Sequence, residues 1–314
     1  MVIIMIIIQL AGGLGNQMFQ YALYLQLKSH GKDVKIDDVS GFEQDRQRVP
    51  ALAPFGITYE KASAKEIEKM LDASMLPWHR VRRKLCGRKR KSYFEEDKLF
   101  HPDVLNRDDI YLEGYWQTEK YFQSVTEQVW SVYDIDRLLS YVRSMESTNN
   151  SGVAGTDTRH IDDYLQEITS GESVSVHIRR GDYLTPENQA LFGNICTEAY
   201  YHEAMGQMKK KYPDCRFYLF TNDKDWAKDI AGSFLAQDVT VVELPEDSYR
   251  DYGEFVLMSR CKHNILANSS FSWWASYLNP NPDKTVYAPD RWLNGWDCRD
   301  FYREDMITIQ SHAD

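Results

Sequence analysis

The feature that most restricts the fold of this chain is its opening. An apolar run from Met1 to Leu10 breaks into Ala11-Gly12-Gly13-Leu14-Gly15-Asn16-Gln17, after which apolar residues recur at Phe19, Leu23 and Leu27. The run reads as a buried strand, the glycines permit a tight turn, and the spacing predicts a helix over Asn16 to His30 with Asn16 as its N-cap. A strand that passes through a glycine loop into a helix is the opening of a Rossmann-like α/β unit. The dinucleotide signature GxGxxG is not met, because Met18 stands in the third glycine's place, and no Walker lysine follows. The loop is expected either to let a ligand approach the backbone or to serve as a structural turn. Met1 to Leu10 has no basic n-region and is too short to span a bilayer, so it is read as fold rather than targeting signal and the chain is expected in the cytoplasm.

The same alternation continues. Lys32 to Asp37 reads as a second strand and Ala62 to Leu71 as a helix. Ser147 to Gly171 then gains Ser, Thr, Asn, Gly and Asp, with one short helical segment around Ile161 to Ile168, and is read as a domain boundary. Beyond it come a strand at Val174 to Ile178, a helix at Ala199 to Lys211, strands at Phe217 to Phe220 and Val239 to Val242, and a helix at Glu254 to Lys262. Asn264 to Ala267 is a further buried strand, and Ser269 to Leu278 a helix. The expected fold class is α/β, with two Rossmann-like domains at 1–160 and 161–314 and a cleft between them, a division that 314 residues allow.

Charge and composition exclude several roles. A net charge of −10 argues against nucleic acid as a partner. Eight Lys and Arg nonetheless fall between Arg80 and Lys91, which reads as a solvated face or as a patch resting on anionic lipid near a membrane-borne substrate. Five cysteines without a CxxC pair imply a reducing compartment and no structural zinc. Tyr111 to Phe122, YLEGYWQTEKYF, is dense in aromatic rings that suit a core and also a sugar platform.

Three stretches carry candidate chemistry. In VSVHIRRGDY, Val174 to Tyr183, the apolar alternation ends in His177, Arg179, Arg180 and Asp182. Side chains alternate across a strand, so Arg179 shares a face with His177 while Arg180 points the other way. One arginine is expected to clamp a phosphate in fork geometry and the other to serve the fold; a structural Arg–Asp pair is the alternative. Thr221-Asn222-Asp223-Lys224-Asp225 follows a strand, where Asp223 and Asp225 either hold a divalent metal or form a turn and helix cap. Ala267 to Trp274, ANSSFSWW, places hydroxyls of Ser269 and Ser270 at a helix N-terminus, which suits phosphate oxygens.

GGLGNQMFQYA, YLEGYWQTEKYF, HIRRGDY, FYLFTND and LMSRCKHNILANSSFSWWASYLN, in that order from Gly12 to Asn279, together resemble glycosyltransferase family 11, the α-1,2-fucosyltransferases. The resemblance implies a GT-B fold, acceptor side first and donor side second, and inverting transfer of L-fucose from GDP-fucose to O2 of a terminal β-galactose. It also implies O-antigen or capsule glycans as products, a lipid-linked acceptor near the basic run on the inner membrane face, and no metal or other cofactor. By the same resemblance His177 meets the guanosine and Arg179 the pyrophosphate, with Arg180 and Asp182 bracing the loop. Ser269, Ser270 and the Phe271 N–H hold phosphate oxygens, and Asn16 reaches the donor. Glu254 stands where the family commonly carries Asp to accept from guanine, and Glu187 lies where the related α-1,6-fucosyltransferases place a base. Two other classes stay open: a metal-dependent glycosyltransferase using Asp223 and Asp225, and a non-catalytic carbohydrate-binding protein.

Overall fold

Ten short strands form two sheets in the computed structural model, which describes residues 4–43, 45, 47–149, 159–234 and 236–311, with only the backbone at 149, 182, 187 and 236. Contacts divide the chain into two units, Met1–Val132 with Arg299–Phe301, and Tyr133–Cys298 with Tyr302–Asp314.

The first unit runs β1 (Ile6–Gln9), α1 (Leu14–Ser29), β2 (Val34–Asp37), α2 (Ala64–Met70), α3 (Pro77–Cys86), β3 (Ser92–Phe94), β4 (Ile110–Glu113) and α4 (Thr126–Val132). Its sheet has the order β2-β1-β4-β3, and every pair is parallel. Met5 and Ile7 pack with Met70 and Tyr111. Ile6 and Ile8, on the opposite face, are buried too, which is why the N-terminal run shows no polar alternation. One expectation is corrected here. The N-cap of α1 is Gly13, whose carbonyl accepts from the Asn16 and Gln17 amides at 3.0 and 3.1 Å, so Asn16 sits inside the first turn. Gly12 before it has φ 74°, and a Cβ there would lie 2.6 Å from Nδ2 of Asn16, so the turn requires glycine for both its backbone and its space.

The second unit runs α5 (Ile135–Asn149), α6 (Ile161–Ser170), β5 (Ser173–Ile178), α7 (Pro186–Phe192), α8 (Glu198–Lys211), β6 (Arg216–Thr221) and α9 (Lys224–Ser233). It continues with β7 (Val239–Val241), α10 (Arg250–Arg260), β8 (His263–Ile265), α11 (Ser270–Tyr277), β9 (Val286–Pro289) and β10 (Met306–Ile309). The order β10-β9-β8-β5-β6-β7, all parallel, is a doubly wound sheet whose direction of winding reverses between β5 and β8. Val174, Val176 and Ile178 on one face of β5 pack with Tyr200, Tyr201, Ala204, Met205 and Met208 of α8. The opposite face is polar and equally buried, and its groups are paired. Ser173 Oγ donates to the Ile168 carbonyl at 2.8 Å, and Asn264 Nδ2 donates to Ser175 Oγ at 2.7 Å.

α5 lies before residue 160 and packs with α10, Tyr141 meeting Tyr252 edge to face at 5.8 Å. Of the stretch read as a boundary, 150–158 lie outside the described residues. No helix among the described residues is long and apolar enough to cross a membrane.

Candidate active site

The carboxyl ends of β5, β6 and β8 lie side by side at the reversal point of the second sheet, where open α/β sheets bind ligands. His177, near the end of β5, is 5% exposed, and its Nδ1 lies 2.9 Å from Oγ of Ser272 on α11. The Ser272 hydroxyl also lies 3.4 and 3.3 Å from the carbonyls of Ala267 and Ser269, so it is held between α11's first turn and the imidazole. Burial, with a smaller push from the Arg179 guanidinium, lowers the imidazole to about 3. His177 is therefore neutral at any working pH, a hydrogen-bonding group and not a countercharge.

The two arginines after β5 go to different places. Arg180 crosses to the α9 side, where Nε meets Asp223 Oδ2 at 3.1 Å and the guanidinium lies 4.4 Å over the Trp226 ring, while its amide donates to Asn222 Oδ1 at 2.9 Å. Arg179 lies 5.8 Å over the ring of Tyr183. Tyr183 is stacked on Phe192 at 4.4 Å, and its hydroxyl donates to the Asn268 carbonyl at 3.1 Å, which ties the arginine loop to the turn before α11. Gly181 runs close under Asn222: a Cβ would lie 2.4 Å from Nδ2 of that side chain. The side chain of Asp182 lies outside the described residues, as does that of Glu187, whose backbone is in α7.

At β8 the chain turns through Asn268 into α11. Asn268 Nδ2 donates to the carbonyls of Trp292 and Phe192 at 3.2 and 3.4 Å, which fixes the turn from beneath. Ser269 is the N-cap, its Oγ accepting from the Phe271 amide at 3.3 Å. The Phe271 N–H expected to meet phosphate is thus engaged by the cap. The rest of the first turn presents its backbone amides, and the positive end of the helix dipole, at the carboxyl end of the sheet.

Glu254, on α10, is 7% exposed. Burial pushes its carboxyl up to about 7, against the pull of Arg250, whose Nε donates to Oε1 at 2.8 Å. The other arm of Arg250 donates to the Thr221 carbonyl at the end of β6, at 3.1 Å. Asn222, Asn264 and Asn268 lie in stretches singled out above but drew no role of their own, and nothing in the local sequence marked Arg250. Asn264 joins β5 to α10 by donating also to the Met258 carbonyl, at 2.9 Å, and accepts from Asn279 at 2.8 Å. Asp223 caps α9 by accepting from the Trp226 amide at 3.2 Å with one oxygen and pairs with Arg180 through the other; Asp225 lies in the first turn. Among the described residues no three His, Cys, Asp or Glu side chains gather as a ligand set.

In the first unit the loops after β1 and β4 meet at the equivalent reversal point. Gln117 Nε2 donates to Asn16 Oδ1 at 2.6 Å, and Gln20 spans the two loops, accepting from the Ala11 amide at 3.0 Å and donating to the Gly114 carbonyl at 2.8 Å. Of the two uses that the aromatic stretch suits, core and sugar platform, most of its rings serve the core. Tyr111, Trp116, Tyr121 and Phe122 are buried, and Tyr115 alone among them is exposed. Trp116 has φ 57°, held by Glu95, which accepts from the Tyr115 and Trp116 amides at 3.0 and 3.1 Å.

Two parallel α/β units, one with an arginine and a helix N-terminus beside its reversal point, define a protein of the doubly wound α/β class with a place for an anionic ligand. The chain matches the family described as Glycosyl transferase family 11 over residues 2–295, and it belongs to that family of glycosyltransferases. Three relatives illustrate its range. The chain is 29% identical to the O-antigen biosynthesis glycosyltransferase WbnK of Escherichia coli, over 91% of this chain and 94% of that one. It is 26% identical to an alpha-1,2-colitosyltransferase of Escherichia coli, over 94% and 95%. Galactoside alpha-(1,2)-fucosyltransferase 1 of Lagothrix lagotricha is also 26% identical, over 85% of this chain and 63% of the relative.

Proposed function

We propose that this protein transfers L-fucose from GDP-fucose to O2 of a terminal β-galactose, with inversion and without a metal or other cofactor. The observation that carries the reading is that Arg179, just after β5, and the N-terminus of α11, just after β8, follow the carboxyl ends of the two neighbouring strands that flank the reversal point. As the bond from the sugar carbon to the diphosphate breaks, negative charge grows on GDP and positive charge on the sugar ring. Arg179 and the α11 amides supply the countercharge, each donor contributing about 3 to 4 kcal/mol in a site closed to water. Ser269 and Ser270 hold phosphate oxygens, His177 meets the guanosine, and Glu254 accepts from the guanine edge. Asn16 is read as a donor contact and Glu187 as the base that takes the acceptor proton. Arg180 and Asp182 brace the loop. The acceptor is a lipid-linked O-antigen or capsule glycan, and the reaction lies on the cytoplasmic side.

The colitosyltransferase relative favours one second reading. Colitose is fucose without its 3-hydroxyl, so both donors share the GDP handle and the anomeric geometry. The deciding experiment incubates the enzyme with GDP-fucose, GDP-colitose and UDP-sugars in the presence of a terminal β-galactoside, and reads the product linkage by NMR. An α-fucosyl bond on galactose O2 is expected. A β-anomer or another acceptor atom overturns the proposal, and preferred use of GDP-colitose moves the assignment to the second reading.

A further inference from the structure

α3 is a helix with no buried residue. It is held to its unit through its polar side. Arg83 donates from Nη1 to the Asp72 carbonyl at 3.0 Å and from Nη2 to the Ser74 carbonyl at 2.6 Å. Arg82 pairs with the Asp72 carboxylate, whose other oxygen accepts from the Lys89 amide at 2.9 Å. With that side pinned, the apolar side faces outward. Trp78, Val81 and Leu85, one stripe at helical spacing, are 64%, 56% and 79% exposed, and Met75 and Leu76 leading into the helix are exposed as well. Five large apolar side chains uncovered within 75–85 are not the isolated exposures of an ordinary surface.

The charge around the stripe is of one sign. From Pro77 to Phe94 there are eight Lys and Arg and no Asp or Glu, in a chain whose net charge is −10. Arg82 and Arg83 are used by Asp72, Arg90 by Glu113 and Lys91 by Asp109. Arg80, Lys84, Arg88 and Lys89 are exposed, and their side chains have no partner among the described residues.

We propose that α3 and the Gly87–Lys91 turn form a docking surface for an anionic lipid bilayer. The apolar stripe enters the boundary between headgroups and acyl chains, and the four unused cations meet lipid phosphates. A second copy of the chain fits less well, because a two-fold contact would set the basic rim against itself. The inference goes beyond sugar transfer and does not depend on it, since vesicle binding is measured without turnover.

The test is sedimentation of the full chain with vesicles of phosphatidylcholine alone and of phosphatidylcholine mixed with phosphatidylglycerol in roughly equal parts. Binding is expected with the mixed vesicles at low salt, and weaker binding at high salt or on phosphatidylcholine alone. Two variants separate the contributions, Trp78→Ser with Val81→Ser and Leu85→Ser, and Arg80→Glu with Lys84→Glu, Arg88→Glu and Lys89→Glu. Each is expected to lower the partition coefficient at least about tenfold. Both should keep the wild-type circular dichroism and the wild-type rate on soluble substrates. Wild-type protein that stays in the supernatant with anionic vesicles at low salt overturns the proposal, as does either variant that binds like wild type. A wild-type dimer that the apolar variant dissolves in the ultracentrifuge assigns the face to a second copy instead.

Discussion

Arg179 and Arg180 are neighbours with opposite duties, and substitution separates them. Arg179→Lys keeps a charge and loses the fork, so kcat is expected to fall about a hundredfold or more while the melting temperature holds. A kcat within a few-fold of wild type contradicts the leaving-group role. Arg180→Lys weakens a half-exposed ion pair and a ring contact, together about 1 kcal/mol, so it should lower the melting temperature by roughly 2 to 4 °C. Glu254 sets a pH dependence. Burial raises its folded value to about 7, so between its ordinary value and about 7 the folded chain binds more protons than the unfolded one. Its contribution to stability is present in full below that window and is lost as pH rises through it. A guanine edge needs the carboxylate, so GDP should bind about tenfold more weakly at pH 6 than at pH 8. UDP, with the same diphosphate, serves as the baseline in inhibition assays. Parallel profiles for GDP and UDP would place guanine recognition elsewhere, and Glu254→Gln should flatten the difference.

At the scale of elements, α11 is held at both ends. Ser269→Ala removes the cap and is expected to cost about 1 kcal/mol by denaturant titration. At the other end the buried Arg303 donates to the Trp273 carbonyl at 3.2 Å and to Ser276 Oγ at 3.0 Å, with its guanidinium 4.7 Å over the Trp273 ring. Arg303→Met should cost about 1.5 to 3 kcal/mol in the same titration. Because the α11 N-terminus and Arg179 are assigned the countercharge, excess EDTA should leave the initial rate almost unchanged. A loss of rate restored by manganese would instead direct attention to Asp223 and Asp225. Legibility followed partner distance, and length only in part. α1, α8 and α11 were readable because each carries several apolar turns, and β5 and β6 because each runs six residues between polar breaks. β3, β4, β9 and β10 were not read although β1, β2, β7 and β8, just as short at three or four residues, were; length alone does not separate them, and their burial depends on which strands flank them. α5 was lost because it ends in the Ser- and Asn-rich stretch that reads as a boundary. His177 and Arg179 stood out at a strand end. Arg250 and Asn222 did not, because their partners Thr221 and Arg180 are 29 and 42 residues away and meet them only through strand order.

For the whole molecule, donor binding has a footprint that hydrogen exchange can map. GDP added to the full chain should give its strongest protection in the second unit, in the segments after β5 and β8 and at the start of α10. Protection concentrated in Ala11 to Gln17 would reverse the assignment of the units. The division of the chain has a further effect. The first unit is not one contiguous piece, because Arg299–Phe301 returns to it before Tyr302–Asp314 rejoins the second. In that return Asp300 accepts from the Phe100 amide at 2.7 Å and from Lys120 Nζ at 2.5 Å, and a few residues later β10 pairs with β9. A backbone cut between Val132 and Tyr133 therefore leaves three residues of the first unit on the fragment that carries the second. Truncation after Cys298 strips an acceptor from one unit and an edge strand from the other, so the segment 299–309 serves each unit in turn and cannot be trimmed as a tail.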